Sequence, residues 1–131
     1  MKRSASCSCG ALQVSISGEP TKVSLCHCGA CKKRTGSSFG VAVFYDRDRV
    51  ALSGPSSIYE RMGESGKRVT FHFCPDCGAT VYWLPEFRPG SIAIAIGAFD
   101  EQEGLSPTQS VYEHRRHPWI AIEIDGRKSG S

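Results

Sequence analysis

Apolar residues fall on every second position in several short stretches of this chain. Over residues 11–17, Leu12, Val14 and Ile16 share one face, as in a half-buried strand. Gly18-Glu19-Pro20 then signals a turn, and residues 21–25 alternate again through Val23 and Leu25. This pattern predicts a hairpin about Glu19. Residues 39–45, 57–61, 67–73, 79–84 and 91–97 also read as strands, with Val69, Phe71 and Phe73 aligned in the third and Ile92, Ile94 and Ile96 in the last. Residues 111–114 and 119–124 complete the set. Polar or Gly/Pro-containing connections lie at 46–49, 54–55, 63–66 and 100–109. Only residues 28–34 suggest a helical turn, ending at Gly36 with Lys32, Lys33 and Arg34 in its last turn, where cations suit the dipole. The expected class is all-β: a single domain over 4–125 with a flexible tail at 126–131.

Composition narrows the function. The 131 residues suit one domain, and no stretch approaches the roughly 20 apolar residues of a membrane-spanning helix. Met1-Lys2-Arg3-Ser4 leads into cysteines and not into an apolar run, so no signal peptide is expected. The expected setting is a reducing cytoplasm, where thiols bind metal more readily than they form disulfides. The formal charge is +3, but seven cysteine thiolates and two Zn²⁺ would bring it to zero. That removes most of the case for a nucleic-acid partner.

The cysteines carry the chemistry. They occur as Cys7-Ser8-Cys9-Gly10, Cys26-His27-Cys28-Gly29-Ala30-Cys31 and Cys74-Pro75-Asp76-Cys77-Gly78. The last, set between two strands, reads as a zinc knuckle, with glycine letting the backbone curl so that amides face sulfur. Structural zinc takes four protein ligands; catalytic zinc keeps a position open. Seven thiols divide as one closed site of four and one open site of three. In a rival division, Cys28 and Cys31 join Cys74 and Cys77 in a ribbon, over an interval far longer than the usual 15–20 or so residues. The four-plus-three division uses every thiol and is preferred. With the hairpin about Glu19, Cys7 and Cys9 would return opposite residues 26–31, making the two sites neighbours.

These three motifs, with Thr35-Gly36-Ser37-Ser38-Phe39 and Pro118-Trp119, together resemble the glutathione-dependent formaldehyde-activating enzyme family, also called the centromere-protein-V-like domain. The resemblance covers about residues 4–125. It implies a β-tent of small antiparallel sheets, a structural zinc on Cys7, Cys9, Cys74 and Cys77, and a catalytic zinc on Cys26, Cys28 and Cys31. It also implies a carbon–sulfur lyase activity that joins a small thiol such as glutathione to formaldehyde or a related aldehyde.

Three thiolates make a zinc centre of net −1, a weaker Lewis acid than one held by neutral histidines, so thiol activation suits it better than water ionisation. No separate general base is legible. Strict alternation points His27 away from the metal, and His114 and His117 read as surface or loop residues. Phe39, Trp83 and Trp119 read as core. Lys32, Lys33, Arg34, Arg115 and Arg116 are candidates for substrate carboxylates because they are cationic. The alternatives are a non-catalytic zinc module that binds a partner and a redox-responsive thiol sensor, since an open thiolate-rich site is oxidisable.

Overall fold

The computed structural model describes residues 2–63 and 66–124, and residues 127–129 by backbone alone. Its strands are β1 (Lys2–Ser6), β2 (Gln13–Ser17), β3 (Lys22–Cys26), β4 (Gly40–Asp46), β5 (Val50–Ser53), β6 (Ser57–Met62), β7 (Arg68–Phe73), β8 (Thr80–Pro85), β9 (Ser91–Ala95), β10 (Gln109–Val111), β11 (Ile122–Ile124) and β12 (Arg127–Ser129). One helix, α1 (Gly29–Thr35), joins β3 to β4. The all-β class is what the alternation predicts.

The hairpin about Glu19 does not form. β2 is flanked by β1 and β5 in a three-stranded sheet, whereas β3 lies in a seven-stranded sheet ordered β10-β3-β4-β9-β8-β7-β6. A strand has two hydrogen-bonding edges, and both edges of β2 are taken by strands the alternation rule overlooks. β1 escapes it because its only apolar residue is Ala5, which is buried. Past Pro20 the chain passes to the second sheet, where the Thr21 amide donates to the Phe44 carbonyl at 2.8 Å. The sheets are also not wholly antiparallel: β10 runs parallel to β3.

The larger sheet has two differently used faces. Val43 and Tyr45 of β4, Ile92 and Ile94 of β9 and Val81 of β8 pack with Leu12, Val14 and Ile16 into the main core. A smaller cluster on the other face holds Phe44, Val69, Phe71, Trp83 and Ala93. That second face carries the site.

Several expected strands end early. β9 stops at Ala95 and gives way to a 3₁₀ turn, so Ile96 is only half-buried. The strand expected at 111–114 breaks at Tyr112, whose φ of 57° leads into a 3₁₀ turn over Glu113–Arg115. Trp119 is not core: it is 73% exposed and stacked on His117, while Ile120 takes the buried place. Of residues 119–124, only Ile122–Ile124 is strand. Their backbone pairs with that of 127–129, where a flexible tail is expected; residues 126, 130 and 131 of that tail lie outside the described residues.

Candidate metal centre

Two turns build the four-cysteine cluster. In the turn after β7, the Cys74 amide donates to the Ala79 carbonyl at 3.0 Å and the Gly78 amide to the Cys74 carbonyl at 2.8 Å. Gly78 has φ of 79°, which lets the backbone curl until the amides of Asp76 and Cys77 point at Cys74 Sγ, 3.4 and 3.5 Å away. The turn after β1 repeats the device. The Cys7 amide donates to the Leu12 carbonyl, Gly10 has φ of 84°, and the Leu12 amide reaches Cys7 Sγ at 3.2 Å.

The sulfurs of Cys7, Cys9, Cys74 and Cys77 all lie within 4.8 Å of one another. Cys9 Sγ is 3.7 Å from Cys7 Sγ and 3.6 Å from Cys74 Sγ. Tetrahedral zinc with bonds of about 2.3 Å separates its sulfurs by about 3.8 Å, so the donor set fits that ion. Charge gives the same answer. The Ala79 and Cys9 amides hold the Cys77 thiol down at about 6. The Ala11 amide favours the Cys9 thiolate, yet Cys74 and Cys7 outweigh it and push Cys9 up to about 12. Four sulfurs this close cannot all ionise without a cation among them.

The triplet is assembled by β3 and α1. Cys26 ends β3 and Cys28 caps α1, its sulfur accepting from the Cys31 amide at 3.4 Å. The three sulfurs fall within 4.8 Å of one another. The structure therefore groups the thiols as four and three, and the ribbon pairing is not formed. Hydrogen bonding from Cys26, then from Cys28, holds the Cys31 thiol at about 6 against burial, with Arg34 and Arg61 adding positive field. The same contact drives Cys26 well above the usual thiol range. The set is again short of a cation.

Strand parity then supplies a cavity. Lys22, Ser24 and Cys26 alternate along β3, opposite Phe44, Ala42 and Gly40 of β4. All six face a cavity of about 480 Å³ that also meets Cys28, Cys31, Arg34, Arg61, Trp83 and Arg115. Such a volume is within the range of about 300–1,000 Å³ common for small-molecule sites. Arg34 lies across Trp83, its guanidinium carbon 4.3 Å from the ring centre. Burial lowers its pKa, and Cys31 opposes that shift. Arg34 and Gly40 also line a second groove that reaches Cys7 and Gly78.

His27 is fully buried, with Nε2 3.1 Å from Ser110 Oγ and 3.2 Å from Glu113 Oε2. Burial depresses its pKa and Glu113 opposes it less strongly, so the ring is neutral and donates Nε2–H. Among the described residues Nδ1 has no hydrogen-bond partner. Glu113 also accepts from Ser110 Oγ and from Arg116 Nε, which secures the 3₁₀ turn beside the cavity. His27 is thus a structural tie outside the cysteine cluster.

A family model described as "Glutathione-dependent formaldehyde-activating enzyme" matches residues 2–115. The chain belongs to this family. No curated protein matches it. Among solved structures, a Rhodobacter sphaeroides protein superposes with a TM-score of 0.60 at 17% identity, over 85% of this chain and all of the other. That likeness supports the fold.

In this family member, the cationic candidates separate. Arg34 and Arg115 line the cavity; Arg116 is paired with Glu113, and Lys32 donates to the Arg115 carbonyl at 2.7 Å. His114 is exposed, and neither His114 nor His117 lines the cavity. Sequence reasoning missed Lys22, Arg61 and Phe44 and assigned Trp83 to the core alone. The alternation of residues 21–25 holds the signal for Lys22, because the polar parity of that strand is the site face.

Proposed function

We propose that this chain is a zinc-dependent carbon–sulfur lyase-type enzyme that joins a small thiol, such as glutathione, to formaldehyde or a related carbonyl. The observation that carries this reading is the three-cysteine cluster, which has one ligand fewer than a closed zinc site and opens on a cavity of about 480 Å³. Family membership supports the substrate pair. Cys26, Cys28 and Cys31 would hold a catalytic Zn²⁺; Cys7, Cys9, Cys74 and Cys77 would hold a structural one. Held by those three cysteines, a bound Zn²⁺ would leave a coordination position open to a thiol and would favour its thiolate form.

This chain's own residues do the rest. Arg34, set between Cys31 and Trp83, holds positive charge where a thiolate arrives. Trp83 and Phe44 line the cavity with Val69 and hold Arg34 and Lys22 over their rings. The thiolate sulfur forms a bond to the carbonyl carbon while the carbon–oxygen π bond opens, and the alkoxide takes the proton the thiol released. His27 is occupied with Ser110 and Glu113 and has no part in that transfer. A reducing cytoplasm would keep the seven thiols available for metal.

The uncatalysed addition is itself quick, so the test is exchange at equilibrium. NMR exchange spectroscopy between free and adducted glutathione should show faster exchange with zinc-replete protein than with buffer, and Cys28→Ser should return it to background. Cysteine should be run alongside. If neither thiol exchanges faster with the wild-type protein, the lyase reading fails.

A further inference from the structure

Four cations line the cavity beside the triplet: Lys22, Arg34, Arg61 and Arg115. Among the described residues, no aspartate or glutamate lines it. Among the described residues none of the four forms an ion pair with a carboxylate, since the ion pairs present are Arg3–Glu19 and Arg116–Glu113. Nearby carboxylates are turned to other donors. Glu60 accepts from Thr70 Oγ1, Glu86 from the Arg68 amide, and Glu113 from His27, Ser110 and Arg116.

Three of these cations rest instead on aromatic faces. Lys22 Nζ is 4.9 Å from the centre of Phe44, Arg34 is 4.3 Å from Trp83, and Arg61 is 5.3 Å from Phe71. Arg88 stands over Phe44 as well, at 5.5 Å. Cation–π contacts place these charges without neutralising them. Burial, then the charge of Arg88, lowers the pKa of Lys22, as expected where positive charge is crowded. The triplet thiolates are the negative groups of the site. With a divalent ion among them they leave one negative charge against four positive ones, and an incoming thiolate adds only one more.

We infer that this cavity selects a substrate bearing two carboxylates and discriminates against a free ammonium group on the same molecule, with Lys22 and Arg61 as specificity-determining residues. The inference rests on the proposed thiol chemistry and narrows its substrate class. A thiol with two carboxylates matches the excess of positive charge. Among the described residues an ammonium meets a cation-lined cavity with no carboxylate, and the rings of Phe44 and Trp83 already carry cations. Ser24 and Gln109, hydrogen-bonded to each other at 3.0 Å, are neutral groups of the lining. By this reading the α-amine of glutathione weakens its binding here, and an N-acylated or amine-free dicarboxylate thiol is the better fit.

The test uses zinc-replete protein and two ligands that lack a thiol, S-methylglutathione and N-acetyl-S-methylglutathione, titrated by calorimetry at low salt. They differ in the ammonium group, and neither can report on thiol activation. The acetylated ligand should bind at least about fivefold tighter, and the preference should shrink as salt screens the cations. In a Lys22→Gln/Arg61→Gln double variant that keeps its zinc content and melting temperature, the preference should fall below about twofold. The single variants serve if the double variant does not fold. Equal or tighter binding of the free-amine ligand, or no heat from either, overturns the inference and leaves the exchange test standing. Absent thiol exchange with the ligand preference intact would sink the lyase reading alone.

Discussion

Arg34 meets Trp83 ring-on at 4.3 Å, and Gly40 makes that possible. A Cβ built on Gly40 would stand 2.8 Å from Arg34 Nη2 and 3.3 Å from the Cys31 Cβ. Gly40 is opposite Cys26 in the β3–β4 ladder, and its missing side chain leaves room for Arg34 and Cys31 together.

Gly40→Ala should therefore fold, at a cost of about 1–3 kcal/mol for overpacking. The Arg34 tip can swing away, but the Cys31 Cβ is anchored to α1 and must shift. In a Trp119→Phe background Trp83 is the sole tryptophan, so its emission should report the lost stack. Zinc at the triplet should weaken several-fold while the four-cysteine site keeps its metal. Unchanged emission and unchanged metal affinity would show that Arg34 does not depend on the glycine.

The two cysteine sites should differ in what their loss does. Cys74 is fully buried and accepts two amides, and structural zinc contributes on the order of 10–16 kcal/mol. A domain's whole net stability is about 5–15 kcal/mol, so Cys74→Ser should unfold or precipitate the chain. Cys28→Ser should fold, because serine is itself a good helix cap where Cys28 now caps α1. Thermal melts showing both variants equally folded would refute the division of roles.

Metal removal offers a separate check. Four ligands at one site and three at the other predict two zinc ions of unequal tightness. Elemental analysis should find about two per chain in zinc-replete protein and about one after mild chelation. Two ions that resist chelation equally would contradict the open site.

His27→Ala should cost about 2–4 kcal/mol, since it empties a fully buried ring and leaves Ser110 and Glu113 short of a partner. His27→Gln keeps a donor and should recover part of that loss. Because Glu113 anchors the turn that presents Arg115, the alanine variant should also bind anionic ligands more weakly at matched zinc content. An alanine variant as stable as wild type would remove His27 from this role.

Much of the site is readable before folding because its parts are local. Cys-x-x-Cys-Gly in a turn, a triplet spread over six residues, and Cys28 before a short basic helix are short-range patterns, and each forms where it is expected. Strand parity is equally local: it aligns Val69, Phe71 and Phe73. The first two enter the second cluster, while a register shift after His72 leaves Phe73 half-buried and outside it.

Partnership between strands is not local. The turn at Gly18–Pro20 looks like a hairpin loop, yet β2 has both edges filled by β1 and β5, and β3 pairs across α1 with β4. Trp119 looks like core because tryptophan is large and apolar, but neighbouring Ile120 takes the interior position and leaves the ring stacked on His117.

Legible in the sequence alone were the class of fold, the seven cysteines that could hold metal, a preference for dividing them as four and three, and the family. Ligand spacing and side-chain alternation are written into neighbouring residues, which explains why these could be read. Only the tertiary structure decided that Lys22 from β3, Arg34 from α1, Arg61 from β6 and Arg115 from a distant turn would surround one cavity, with no carboxylate in its lining among the described residues. Unlike those short-range patterns, such charge crowding depends on which strands share a sheet, a choice made by long-range edge pairing and burial.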